Sequence, residues 1–397
     1  MAAMLWAEMH KIAGMARSYS GMRRITDSRR HGIGEYGGGM PQNDPIPVAR
    51  KNSGMHCRKI PRIGIRATVL ALTLFSSHFD SAWANDTVAE ITPNGLIFAR
   101  EENISIERED LYLSPNKIEV AYRFRNHSDN EIAVEIAFPI PVYDGLTVYN
   151  SPFHHYPLSF NDFDVEVEGR KIRHKQEVRA YLSTPEKREI TALLIGMGLS
   201  IEDFAGLAGP HANDRQIRAL SEEQLRQLVQ MGAIVSENDS FMPNWQVSVN
   251  YHWRQIFPPN STTTIKHRYA PYLGGYYVYF QKTGNGVSGE ISENSAKESC
   301  LAPQVHQAIE DKMRRRAMDS GTKGARISIN WLSYILTTAN NWQRPIGEFH
   351  LTLERPADTI MSLCFGPKLR KTSPTTFEAD VQNFVPEHEL RVFFYWG

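Results

Sequence analysis

Two stretches of this chain alternate apolar and polar residues with a strict period of two. That period fits a half-buried strand and excludes an amphipathic helix. Ile118, Val120, Tyr122 and Phe124 interleave with Lys117, Glu119, Ala121 and Arg123. Ile132, Val134, Ile136 and Phe138 repeat the pattern after the turn-forming residues 126–130. The two runs predict an antiparallel hairpin with one face over a core. A sharper hairpin is predicted over 162–175. There Asp162, Asp164, Glu166 and Glu168 alternate with Phe163, Val165 and Val167, and Lys171, Arg173 and Lys175 alternate with Ile172 and His174. A two-residue loop at Gly169–Arg170 sets Glu168 opposite Lys171, Glu166 opposite Arg173 and Asp164 opposite Lys175. Carboxylate rows of this kind can coordinate calcium, but the basic row opposite neutralises this one.

The period changes over 183–233, which reads as a small helical insertion. Thr184-Pro185-Glu186 resembles a helix start, with proline in the first turn. Ser200 precedes a second start, and Ser221-Glu222-Glu223-Gln224 is a capping box. Gly196, Gly198 and Gly232 end the apolar patterns. From 245 the chain returns to strands, with Trp245, Val247, Val249, Tyr251 and Trp253 on one face. Further strands are predicted at 262–269, 276–281, 327–331, 349–353, 360–365 and 391–396. Between them lie a polar loop over 284–300 and one further helix over 302–318. Val305, Ile309 and Met313 line one side of that helix, and Arg314-Arg315-Arg316 suits the negative end of its dipole. The fold class is therefore mostly β, sandwich-like and antiparallel, with a small helical insertion and one further helix.

A different signal sits upstream. Arg58, Lys59, Arg62 and Arg66 precede an apolar run, Ala67 to Phe75, and then Ala82-Trp83-Ala84. Basic, apolar and small-residue regions in that order make a secretory signal. The apolar run is too short to span a bilayer, which takes about 20 residues. We expect translation from Met55, a signal over 55–84, cleavage between Ala84 and Asn85, and a disordered leader or mis-assigned extension over 1–54. The expected location is periplasmic or secreted, with no membrane span after cleavage. The 397-residue chain is neutral, with 44 basic and 44 acidic side chains. Residues 1–84 hold 12 of the basic and 5 of the acidic ones, so 85–397 carries a formal charge of −7. That balance argues against a nucleic-acid binder, which needs a basic face. Cys300 and Cys364 alone remain after 84. In an oxidising compartment they suggest one disulfide, the alternative being two separate buried thiols.

The remaining chain offers little chemistry. Gly284-Asn285-Gly286-Val287-Ser288-Gly289 matches G-x-G-x-x-G, but residues 290–295 do not read as the helix a dinucleotide site requires. Ser288 lacks the final glycine of a nucleophile elbow. His154 and His155 are adjacent and point to opposite faces of a strand. No catalytic residue, metal ligand or cofactor is assigned. Tyr269, Tyr272, Tyr276, Tyr277 and Tyr279 crowd into 11 residues around Gly274-Gly275. They are the candidate ligand surface, since tyrosines present flat apolar faces with polar tips. The competing and stronger reading packs alternate tyrosines into the core.

Several segments, in order along 85–397, resemble the bacterial exported proteins grouped as domain of unknown function 4424. They include Gly95-Leu96-Ile97-Phe98, Glu109-Asp110-Leu111-Tyr112-Leu113-Ser114, Ala137-Phe138-Pro139-Ile140-Pro141, Trp253-Arg254-Gln255-Ile256-Phe257-Pro258-Pro259, His267-Arg268-Tyr269, Asn340-Asn341-Trp342 and Ser373-Pro374-Thr375-Thr376-Phe377-Glu378. The resemblance implies export and a shared fold, and no reaction. Residues 118–182 also resemble the β-rich domain found beside von Willebrand A modules, which implies a structural or interaction role. The expected layout is a sandwich-like domain over 85–182, the insertion over 183–233 and a β-rich region over 234–397. The expected function is non-catalytic binding or structural support in the cell envelope, with an unknown envelope protein or glycan as partner and no nucleic acid. The alternative is an envelope hydrolase using carboxylates from separate strands.

Overall fold

The computed structural model describes residues 85–92, 95–144, 163–184, 186–204, 215–237, 240–284, 286–320 and 324–397. The expected leader and signal and the His154–His155 pair lie outside the described residues. Three sheets dominate, and their strands are mostly antiparallel. The first runs in the order Gly95–Ala99, Thr87–Thr92, Ile132–Asp144, Trp245–Phe257, Lys175–Leu182. The second runs Arg370–Lys371, Thr376–Phe384, Ile346–Glu354, Ile104–Ser114, Lys117–Asn126, Thr262–Tyr269, Asp164–Val167, Arg170–Lys171. The third runs Gly286–Ser288, Gly274–Thr283, Ala325–Tyr334, Leu390–Trp396, Thr359–Leu363.

The first and second sheets face each other as a sandwich. Alternation decides which side chains meet. Ile118, Val120, Tyr122 and Phe124 are all buried, as are Ile136, Phe138 and Ile140 on the opposing sheet. Trp245, Val247, Val249, Tyr251 and Trp253 line the same core, as their shared phase predicts. The Phe138 ring lies 4.9 Å from His267 across the gap, and Phe163 stacks on Tyr251 at 4.1 Å. Each such side chain stabilises the fold by about 1.5–3 kcal/mol relative to exposure.

The third sheet is buried on both faces. Leu332, Tyr334, Leu390, Val392 and Phe394 join the sandwich core. Ile327, Ile329, Phe393 and Tyr395 point the other way and pack under the helix Pro303–Asp319 through Ile309, Met313 and Ala317. That helix matches its expected place, with Pro303 in its first turn. Arg314 does not cap the helix end; it donates to the Val287 carbonyl at 3.0 Å and lies 3.3 Å from Glu310.

Several expectations need correction. The runs 118–124 and 132–138 do not pair. Lys117–Asn126 pairs with Ile104–Ser114 and Thr262–Tyr269, while Ile132–Asp144 pairs in the other sheet. The polar residues 127–131 carry the chain from one sheet to the other, so the two apolar faces meet through side chains. The second hairpin slips by one residue. Val167 pairs with Arg170 and Glu166 with Lys171, so the loop is Glu168–Gly169. Both loop residues have positive φ, 49° and 73°, as a type I′ turn demands, and this register gives glycine the second position. Asp164 is held by Lys171 at 3.0 Å and by Arg268 of the neighbouring strand at 3.0 Å.

The helix expected from Thr184 begins later, as Thr191–Gly196. Leu182 N–H donates to the Arg188 carbonyl, and Tyr181 bridges Glu189. The chain doubles back beside its own strand before it coils. The Ser221 capping box forms as expected, ahead of the helix Glu222–Gln230. The insertion packs into the main core through Leu194, Leu199, Ile201, Phe204, Ile217 and Leu228. Finally, both sandwich sheets take strands from either side of the insertion, so the expected boundary between 85–182 and 234–397 does not divide the sandwich. The polar segment 284–300 likewise contains the short strand Gly286–Ser288 and the helix Glu293–Glu298.

Candidate functional site

Two carboxylates from separate strands converge inside the sandwich. Glu109 points inward because Ile104–Ser114 carries an irregularity between Ile106 and Arg108. The extra residue shifts the strand's phase, so Glu109, Leu111 and Leu113 follow Ile104 and Ile106 into the core. Asp86 lies just ahead of the strand Thr87–Thr92. His267 occupies an inward position of Thr262–Tyr269, in phase with Thr263, Ile265 and Tyr269. Asn85, Asp86, Thr87 and Glu109 have no exposed surface, and His267 is 2% exposed.

Hydrogen bonds tie the group together. Asn85 Nδ2 donates to Glu109 Oε2 at 3.1 Å, and the Tyr122 hydroxyl donates to Asn85 Oδ1. Tyr122 and Tyr334 share a hydroxyl pair at 2.9 Å. His267 Nε2 lies 2.9 Å from Asp86 Oδ1. Trp342 Nε1 donates to the Asp86 carbonyl at 2.7 Å, and Asn341 Nδ2 to Thr87 Oγ1 at 2.9 Å. Three polar atoms have no hydrogen-bond partner among the described residues: Asp86 Oδ2, Glu109 Oε1 and His267 Nδ1. Burial pushes the Glu109 carboxyl up to about 8; the Asn85 hydrogen bond opposes this and the neighbouring Asp86 charge adds to it. Burial also raises Asp86, against the attraction of His267.

An acid–imidazole pair can move protons only where it reaches a substrate. Here Trp342, Tyr122, Phe124 and Phe138 close the space around it, each buried. The cluster is a sealed polar core.

An open concavity of about 400 Å³ lies elsewhere, lined by Pro141, Val142, Glu298, Ser333, Ile335, Cys364, Glu389 and Arg391. Its size is that of a small-molecule site. Pro141, Val142 and Ile335 are apolar, and Glu298 and Arg391 are exposed charges of opposite sign. Glu389 is already engaged, accepting from Leu336 N–H at 2.8 Å and Thr337 Oγ1 at 2.6 Å. Burial raises its carboxyl above the ordinary range. Cys300 and Cys364 come to disulfide distance, with their Cα atoms 5.2 Å apart, and so anchor one wall.

The five tyrosines do not form one surface. Strand periodicity separates them. Tyr269 is buried against Phe138 and Phe163 at 5.6 and 5.7 Å. Tyr272 stacks on Tyr143 at 5.1 Å. Tyr276 faces the helix side with Trp331, 6.2 Å away. Tyr277 and Tyr279 remain together on the outer face, 6.1 Å apart, with Arg326 over the Tyr277 ring at 4.6 Å. Asn85 is buried in the acid cluster, while Ala82 and Ala84 lie outside the described residues.

The G-x-G-x-x-G segment forms a hairpin in which Thr283 pairs with Gly286. Gly289, at φ 108°, packs so closely that a Cβ would lie 2.1 Å from the Tyr279 carbonyl oxygen. Backbone packing accounts for that glycine without a phosphate. Among the described residues, no group of three His, Cys, Asp or Glu side chains is arranged to hold a metal. No helix among them is long and apolar enough to cross a membrane, which leaves strands unaddressed.

Comparison with known proteins adds a family. The family model described as Domain of unknown function (DUF4424) matches residues 84–393. No curated protein sequence matches. Among solved structures, a Legionella pneumophila protein provisionally assigned to nutrient binding is 13% identical, with a TM-score of 0.35, over 79% of this chain and 70% of its own. An M1 zinc metallopeptidase of Deinococcus radiodurans is 7% identical, with a TM-score of 0.24, over 75% of this chain and 43% of its own.

Proposed function

We propose, from the premise that the chain belongs to the DUF4424 family, that it is an exported, non-catalytic binding component of the cell envelope. The observation that carries this reading is the separation of the two sites. The convergent acids are sealed at zero exposure, while the open concavity is lined by the apolar Pro141, Val142 and Ile335 and by the opposite charges of Glu298 and Arg391. A hydrolase needs its carboxylates on the scissile bond, and Asp86 and Glu109 have no path to one. Opposed charges beside apolar side chains suit a small ligand carrying both charges, such as a short peptide or a peptide-bearing glycan fragment.

The test is equilibrium binding of short peptides and soluble cell-wall glycan fragments to residues 85–397. Arg391→Ala should weaken the best ligand by about tenfold, the value of one charge-assisted contact. Turnover of those ligands, abolished by Glu298→Gln, would replace the binding reading with the hydrolase. Recovery of the protein in the cytoplasmic fraction would defeat the export part.

A further inference from the structure

One face of the third sheet changes surroundings along its length. Leu332, Tyr334, Val392 and Phe394 point from it into the sandwich core. Alternate residues of the same strands hold that phase toward the other end, where the face leaves the core. Ser328 is in phase with Leu332 on Ala325–Tyr334, and Trp396 with Phe394 on Leu390–Trp396. Directly paired residues of antiparallel strands share a face. Ser328 pairs with Trp396 on one side and Tyr277 on the other, and Arg326 pairs with Tyr279. One register row therefore reads Tyr277, Ser328, Trp396, and the row beside it Tyr279, Arg326. Two strand spacings, about 10 Å, separate the tyrosine strand from the tryptophan strand.

Two large rings of this face stand in solvent, Tyr279 at 53% and Trp396 at 38% exposure. Exposed aromatic surface gathered on one short face is the informative case, unlike a single exposed apolar residue. Gln281 and Ser288, a further pair, extend the same face. None of these positions holds Asp or Glu, although 85–397 carries a formal charge of −7. The one charge on the face is Arg326, exposed, with its guanidinium 4.6 Å from the Tyr277 ring centre and no carboxylate partner among the described residues. Stacking on a ring orients a guanidinium and leaves its edge donors for a carboxylate. Behind the face, the helix Pro303–Asp319 packs on Ile327, Ile329 and Tyr395 and holds the strands in place.

We propose that this face binds a carboxylate-bearing oligosaccharide laid across the strands: Tyr279 and Trp396 stack on the C–H faces of its sugar rings, and Arg326 takes a carboxylate between them. Charge selects the acidic sugar, since the only charge on the face is an arginine without an acid. Ring chemistry selects a sugar over a peptide. A pyranose offers a flat C–H face to an aromatic ring and hydroxyls at its rim, which the Ser328 hydroxyl and the tyrosine tips meet. An extended peptide binds a sheet by pairing with a free strand edge. Ala325–Tyr334 and Leu390–Trp396 have both edges taken, so a ligand lying across them meets side chains alone. The site is distinct from the concavity. Arg391 precedes Trp396 by five residues on one strand, which puts the two about 17 Å apart and on opposite faces.

The experiment is calorimetric titration of the protein, purified from cells expressing the full chain, with three probes. Tetragalacturonate carries rings and carboxylates, cellotetraose rings alone, and tetraglutamate carboxylates alone. Tetragalacturonate should bind, with cellotetraose weaker by about tenfold and tetraglutamate weaker still. Tyr279→Ala and Trp396→Ala should each weaken tetragalacturonate by about fivefold, the value of one aromatic contact, and Trp396→Phe should restore most of that loss. Arg326→Gln should remove the preference for tetragalacturonate over cellotetraose. Tyr279 and Arg326 are exposed, so their variants decide the matter even if Trp396→Ala fails to fold. No binding of tetragalacturonate at millimolar concentration overturns the proposal. Equal binding of tetraglutamate reduces the face to an acidic-peptide site and overturns the sugar. Binding that survives both Tyr279→Ala and Arg326→Gln places the oligosaccharide elsewhere on the protein, the concavity included, and also overturns it.

Discussion

Loss of the Cys300–Cys364 link has a cost that follows from loop length. The two residues are 64 apart in sequence. In the chain-entropy model, closing a loop of that length removes about 14–15 cal/mol/K from the unfolded chain, or about 4 kcal/mol at 25 °C. The link joins two elements that are separate along the chain. Cys300 follows the helix Glu293–Glu298, and its neighbour Leu301 packs with Ile291, Ile309 and Met313. Cys364 follows the strand Thr359–Leu363 at one edge of the third sheet. A second contact spans the same region, since the Tyr395 hydroxyl donates to Ser299 Oγ at 2.7 Å. The helical layer should therefore stay docked when the link is lost, with most of the cost appearing as cheaper global unfolding. The assay is urea unfolding of residues 85–397, oxidised, reduced, and as the double variant Cys300→Ser/Cys364→Ser. With a slope of about 3 kcal/mol/M, the midpoint should fall by about 1–1.5 M in both altered forms. A loss below about 1 kcal/mol in both would refute the loop-closure reasoning. Two free thiols in the unfolded, unreduced protein would refute the bond itself.

Two further outcomes follow from the acid cluster. Trp342→Ala removes a fully buried ring that lies 4.8 Å from Phe124 and holds the Asp86 carbonyl; it should cost about 3–5 kcal/mol, and a loss under 1 kcal/mol in urea would show that the ring is dispensable. The folded Glu109 carboxyl titrates near 8 and the unfolded one near 4.5. The folded state binds the extra proton between those values, so its stability is full below about 4.5 and falls as pH rises through 8, by on the order of 5 kcal/mol. Asp86, also raised, acts in the same direction. The separation between unfolding curves at pH 5 and pH 8 should therefore be larger with Glu109 than with Glu109→Gln; equal separations would refute a neutral buried acid at 109.

The strands were legible because their signal is local. Each inward residue of Trp245–Phe257 follows from a period of two, and so does each of Lys117–Asn126. Pairing was not legible, because identical alternation serves a hairpin and a pair of facing sheets alike. What separates them is which neighbour takes each edge. Lys117–Asn126 has both edges filled by Ile104–Ser114 and Thr262–Tyr269, and the second of these lies more than 130 residues away in sequence. The slip at Glu168–Gly169 has a local cause. A type I′ turn places glycine second, and the sequence shows that rule as clearly as it shows the charges.

The acid cluster was half legible. His267 sits in phase with Ile265 and Tyr269, and Glu109 in phase with Leu111 and Leu113. A charged residue on the apolar phase of a strand signals a buried polar group even when its partner is unknown. The partner is what local pattern could not supply. Asn85 and Asp86 precede the first strand and belong to no periodic run, and Tyr334 and Trp342 come from more than 200 residues away. The only sequence feature at Asn85 was the small-residue pattern ahead of it, which reads as an export boundary. Asn85 donates to Glu109, whose other oxygen has no hydrogen-bond partner among the described residues. The burial of Asn85 beside Glu109 is a tertiary fact that the local pattern around neither residue carries.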